Sequence, residues 1–298
     1  MIRRTLLAVL GPLTAGIATP AALAAEGDAV ARGGYLVHAA GCIGCHTDEK
    51  AGGSRLAGGR ALKTPFGTYF SPNITPHRRT GIGAWSDDDF LRALRLGRRP
   101  DGAHYFPVFP YTSYTGMRRD DALAIKAYLF SLKPVERANR PHDVRRPFGW
   151  RWTMLFWKWL FFEPGPRLAD PAQGDMWNRG GYLVNALGHC GECHTPRNFL
   201  GASDRSRYLA GSTEGPDGEL VPNITPDMAT GIGEWSNGDI VQLLRDGTKP
   251  DFDDVQGSMA EAIRDGLGHL NDADLRAIAV YLRSLPAIRH RVERPKKP

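Results

Sequence analysis

Two short stretches decide how this chain is to be read: Cys42-Ile43-Gly44-Cys45-His46 and Cys190-Gly191-Glu192-Cys193-His194. Each is Cys-x-x-Cys-His, and together they use all 4 cysteines of the 298 residues. A chance copy is expected about 0.002 times in a chain of this composition, so two copies are not accidents. Two tight disulfides or one four-cysteine zinc site are the alternatives, and neither explains a histidine directly after the second cysteine in both copies. Covalent haem attachment does. Cysteines three apart on a helical turn bring two sulfurs to the two vinyl groups of one porphyrin, and the adjacent histidine comes under the iron as its proximal ligand. The chain is therefore expected to hold two covalently bound haem c, through Cys42, Cys45 and His46 and through Cys190, Cys193 and His194.

Outward from these motifs the sequence repeats itself. Arg32-Gly33-Gly34-Tyr35-Leu36-Val37 recurs as Arg179-Gly180-Gly181-Tyr182-Leu183-Val184. Beyond the cysteines, Pro72-Asn73-Ile74-Thr75-Pro76 recurs as Pro222-Asn223-Ile224-Thr225-Pro226, and Gly81-Ile82-Gly83-Ala84-Trp85-Ser86 as Gly231-Ile232-Gly233-Glu234-Trp235-Ser236. The pattern is a tandem duplication of one haem-binding module.

Each module reads as mainly helical. A first helix carries Tyr35 or Tyr182, and its paired glycines allow another helix to approach closely. A second starts at Ser86 or Ser236, with Asp89 or Asp239 three residues on as a capping box, and stops at Gly97 or Gly247. A third places Ile125, Leu129 and Leu132, or Ile278, Leu282 and Leu285, on one apolar face. The intervening segments are rich in Pro, Gly and Asn, which leaves the haem to organise the loops.

The sixth iron ligand must come from downstream of each motif. Of the methionines after the leader, only Met117 and Met259 stand in corresponding places, after the capped helix and before the last one. Met154, Met176 and Met228 lie in the inter-module segment or in a loop. His46 and Met117, and His194 and Met259, are thus the expected metal ligands. The second pair is the less regular, because Gly247 to Met259 is shorter than Gly97 to Met117 and His269 stands nearby as a competitor. His189 reads as a residue beside the site or on the surface, and His38 receives no role.

With these motifs in place the chain resembles the class I c-type cytochrome modules of membrane-associated bacterial alcohol and gluconate dehydrogenase cytochrome subunits. The resemblance covers both modules and rests on Cys-x-x-Cys-His, Pro-Asn-Ile-Thr-Pro, Thr-Gly-Ile-Gly-x-Trp-Ser and Pro110-Tyr111 through Tyr114 to Met117. It implies a tandem pair of all-α class I cytochrome c domains, His/Met ligation in each, electron transfer as the function, and Asn73, Trp85, Asn223 and Trp235 near the haem edges. Those subunits usually carry three haems, whereas this chain has two motifs.

The expected organisation is a signal peptide at 1–25, domain one at 26–136, an aromatic-rich linker at 137–176, domain two at 177–290 and a basic tail at 291–298. Arg3 and Arg4, the apolar run Leu6 to Ile17, and Ala22-Leu23-Ala24 carry the export reading and place the protein in the periplasm. In the linker, Trp152 to Phe162 is almost wholly aromatic or aliphatic, preceded by Arg145, Arg146 and Arg151. Eleven helical residues rise only ~16 Å and cannot span a bilayer. A helix packed between modules, a peripheral membrane contact and a surface for a partner subunit all fit it. The formal charge of +6 falls to +4 without the leader, and four ionised propionates would offset the rest. Nucleic acid is not an expected partner.

A thioether opposite histidine favours ferrous iron and closes the metal to substrate. The expected function is an exported dihaem electron carrier, fed by a periplasmic dehydrogenase or small donor and emptied by a downstream cytochrome or oxidase. The alternative is a dihaem enzyme, such as a peroxidase or sulfur-compound dehydrogenase, with one open iron. The sequence assigns no catalytic residue.

Overall fold

The computed structural model describes residues 20–294. The leader up to residue 19 and the tail lysines Lys296 and Lys297 lie outside the described residues. The first half opens with α1 (Pro20–Ala39), which runs into the first motif, itself the short helix α2 (Cys42–His46). A hairpin follows, β1 (Ala61–Thr64) paired antiparallel with β2 (Gly67–Phe70), then α3 (Asp87–Leu96), α4 (Tyr111–Tyr114) and α5 (Arg119–Ser131). Between the halves, β3 (Asp143–Val144) adds to β2 and α6 (Thr153–Phe161) covers the hairpin. The second half repeats the order with α7 (Asp175–Tyr182, continued by one π turn through Leu187), α8 (Gly191–His194), α9 (Asn237–Asp246), α10 (Gly257–Asp265) and α11 (Asp272–Ser284). About 43% of the chain is helical.

The glycine pairs fix how the helices cross. A Cβ on Gly33 of α1 would lie 1.9 Å from the carbonyl oxygen of Ala124 on α5. In the second half a Cβ on Gly180 would lie 1.9 Å from Ala277 O on α11. No larger residue fits at either crossing, so α1 packs on α5 and α7 on α11 at backbone contact. The capping boxes form as read: Ser86 and Ser236 accept from Asp89 N and Asp239 N, the aspartates reach back to the cap amides, and Gly97 and Gly247 end the helices in the left-handed conformation. Ile125 and Leu129, and Ile278 and Leu282, enter one core that runs through both halves.

A second, smaller core lies under α6. Met154 and Trp157 are its buried residues and pack with Tyr69, Phe106 and Tyr111 of the first half and Ala202 of the second. The Trp157 indole donates to Leu200 O at 2.9 Å, and Lys158 donates to Leu96 O and Gly97 O at the C-terminal end of α3. One face of the aromatic segment is thus a packed bridge between the halves. The other face, including Phe156 at 62% and Trp159 at 82% exposure, stands in solvent.

Candidate haem attachment sites

Each attachment histidine is aimed by a carbonyl from the repeated proline. His46 Nδ1 donates to Pro72 O at 2.8 Å, and His194 Nδ1 donates to Pro222 O at 2.8 Å. That bond fixes the tautomer, so Nε2 carries the lone pair available to a metal. Burial holds both imidazoles below their ordinary range, partly offset by the proline contact, and keeps them neutral.

The rest of Pro-Asn-Ile-Thr-Pro holds that carbonyl still. Buried Asn73 accepts from Thr75 N and Thr75 Oγ1 and donates to Val135 O, beyond α5. Asn223 accepts from Thr225 N and Oγ1 in the same way and donates to Ile288 O, beyond α11. Protein side chains therefore take a direct part in organising these loops. The two asparagines are polar anchors of the histidine-bearing face, and Trp85 and Trp235 pack half-buried against the shared core.

The donor set suits a haem c in both halves. Cys42 and Cys190 lie half-buried against the core, with burial pushing both thiols up to about 12, and no two cysteines are joined in a disulfide. Among the described residues, no three His, Cys, Asp or Glu side chains converge as a metal cage. Met117 is fully buried in the main core, just after α4, while Met259 is half-buried against it in the first turn of α10. Met176 and Met228 are exposed, and Met154 belongs to the smaller core.

Three further histidines, His38, His189 and His269, sit where the halves meet. The exposed His269 ring packs against His38, tilted by 36° at 3.9 Å between centroids, with Nε2 3.0 Å from Arg264 O. His38 has a task after all, since its Nδ1 donates to Asp265 O of the second half at 2.7 Å. His189 packs edge-on against Tyr114, whose hydroxyl donates to Ala40 O at 2.6 Å.

The contacts the sequence reading missed are reciprocal. Tyr35 of the first half donates to Asp274 of the second at 2.6 Å, and Tyr182 of the second donates to Asp121 of the first at 2.6 Å. Each aspartate is also paired within its own half, Asp121 with Arg32 and Asp274 with Arg179. Burial, reinforced by the Asp274 bond, pushes the Tyr35 phenol up to about 12, so it stays a donor. The signal was present in the repeated Arg-Gly-Gly-Tyr, but its acceptor lies 239 residues away.

A mainly helical chain with two Cys-x-x-Cys-His motifs, each histidine presented by a carbonyl, defines a c-type cytochrome. No family model matches the chain. Among individual proteins, it is 45% identical over 264 residues to the diheme cytochrome c-type of Cereibacter sphaeroides, an alignment covering 86% of each chain. It is 43% identical over 270 residues to the fructose dehydrogenase cytochrome subunit of Gluconobacter japonicus, covering 90% of this chain and 55% of that one. It is 39% identical over 298 residues to the gluconate 2-dehydrogenase cytochrome c subunit of Pantoea cypripedii, covering 96% of this chain and 66% of that one. The chain belongs to the dihaem c-type cytochromes and carries two covalently bound haem c.

Proposed function

We propose that this protein is an electron carrier of the periplasm, built as a tandem pair of class I cytochrome c domains (26–136 and 177–290) and serving a dehydrogenase. The observation that carries the reading is the repeated donor set: a carbonyl-pinned histidine in each half, with Met117 buried in the core and Met259 half-buried against it. When bound, each haem c supplies a one-electron iron couple. Cys42, Cys45, Cys190 and Cys193 would tether the two groups, and His46 with Met117, and His194 with Met259, would supply the ligands to the two irons. Burial of Met117 excludes water and ligands from its side. Relatives named as cytochrome subunits of fructose and gluconate dehydrogenases support a dehydrogenase as donor. The acceptor in this reading is a downstream cytochrome or oxidase.

The outward face of α6 is assigned to the membrane surface. The N-cap Trp152 and, on the nine residues of α6, Leu155, Phe156, Trp159 and Leu160 are all exposed, with exposed Arg145 and Arg146 before them to meet anionic headgroups. No described helix is long and apolar enough to cross a membrane.

The test of ligation is a redox titration of the native protein beside Met117→His. Exchanging thioether for imidazole should lower one midpoint potential and leave the other nearly unchanged. Two unmoved potentials would remove Met117 from the assignment.

A further inference from the structure

The two attachment motifs back onto each other. The residues just before Cys42 touch those just before Cys190: a Cβ on Gly41 would lie 3.4 Å from the His189 ring, and one on Gly188 would lie 3.9 Å from Ala39 O. Each motif is then held by the other half's methionine-bearing region. Glu192, inside the second motif, accepts from Thr112 at 2.6 Å and Ser113 at 2.8 Å on α4, the helix ahead of Met117. Burial works to raise that carboxyl, but Arg197 and the two hydroxyls outweigh it and hold it ionised. In the opposite direction, Arg60 donates to Gly44 O at 2.7 Å, inside the first motif, and to Glu261 at 2.6 Å on α10, two residues from Met259. Beyond these clamps, the second cysteine of each motif, Cys45 and Cys193, lines one shared cavity of about 740 Å³, with Arg60 and Trp157 also in its wall.

The Tyr35–Asp274 and Tyr182–Asp121 bonds, where residue i meets j′ and i′ meets j, are the contacts of an isologous interface, here formed by two halves of one chain. Both are charge-assisted, the second buried and the first partly so. Each hydroxyl also receives the N-cap amide of the helix it docks on, Asn271 N for Tyr35 and Arg118 N for Tyr182.

Resting on the electron-carrier reading above, we propose that electrons pass between the two centres across the Cys45–Cys193 face, and that Tyr35 and Tyr182 are positioning residues that hold the halves at the separation this transfer needs. One electron leaves the ferrous member of the pair and reduces the ferric one, with no bond or proton changed. Within each half, Arg32–Asp121 and Arg179–Asp274 survive loss of a tyrosine hydroxyl, so removing it loosens the interface without emptying either aspartate's site.

The experiment compares the native holoprotein with the double variant Tyr35→Phe/Tyr182→Phe and, independently, with Arg60→Gln. Intramolecular exchange is read at half reduction from magnetisation transfer between haem methyl resonances, alongside both midpoint potentials and a haemochrome count. Loss of two such bonds should slow exchange at least tenfold, at two haems per chain and with both potentials unchanged. Arg60→Gln, which unclamps the first motif at Gly44, should slow it in the same direction and decides the matter if the double variant does not fold. Exchange as fast as native in a folded variant with two haems overturns the proposal and leaves the carrier reading intact. A native protein with fewer than two haems would instead overturn that reading.

Discussion

Gly33 and Gly180 are requirements of packing before they are features of a helix. An alanine is ordinarily the better helix residue by about 1 kcal/mol. Here its Cβ would meet a backbone carbonyl at 1.9 Å, and backbone cannot swing aside as a side-chain tip does. The clash should win, and Gly33→Ala is expected to lower stability by about 3 kcal/mol, measured by urea unfolding of the holoprotein. His142 makes a second prediction. Its Nδ1 accepts from Phe70 N, and burial, aided by the charges of Arg151 and Arg99, pushes its pKa down to about 4 from 6.5. Above pH 6.5 the ring is neutral folded or unfolded, and its contribution is fully present. As pH falls from 6.5 toward 4 the unfolded chain takes up the proton first, so stability is lost across that window. The urea midpoint should drop there, and His142→Asn should flatten the drop; an unchanged slope in the variant would assign it to other groups. At this scale the cysteines, histidines and glycines were legible because their chemistry admits few substitutes. Tyr35 and Tyr182 were not, because an apolar ring in a helix reads as core until its distant aspartate is seen.

At the scale of elements, the legible parts were those with local signals. The capping boxes and their terminal glycines set α3 and α9 to within a residue, and the i, i+4 stripes found α5 and α11. The β1–β2–β3 sheet escaped, because its strands are four residues or shorter and β3 comes from a segment read as linker. The Asn-Thr anchors escaped for a related reason, since Val135 O and Ile288 O come from beyond the following helices. Helix α6 combines both cases: its extent was legible from composition, while which of its faces is buried depends on Tyr69, Phe106 and the second half's Leu200. The membrane proposal is tested on that helix. Trp159, at 82% exposure, gives up little packing when replaced, so Trp159→Asp should leave stability within about 0.5 kcal/mol. The same change should abolish flotation with anionic vesicles, whereas equal flotation of variant and native protein would reassign the face to a protein partner.

At the scale of the molecule, duplication produced an interface as well as a second centre. Arg32, Tyr35 and Asp121 correspond to Arg179, Tyr182 and Asp274, and each tyrosine has exchanged its partner across the interface. The duplication was legible in the sequence, but the exchange was not, since repeats alone do not say which copy of an acceptor a donor meets. The halves have also diverged. Met117 is sealed in the core, while Met259 sits half-buried on α10 beside the Arg60–Glu261 clamp. Two closed irons are the central claim. The measurement that tests it most directly is the visible spectrum of the dithionite-reduced holoprotein with and without carbon monoxide, beside a pyridine haemochrome count. The account predicts two covalent haems per chain and spectra that carbon monoxide leaves unchanged. Ready binding of the gas by one haem would contradict it, placing a labile or missing ligand in that half.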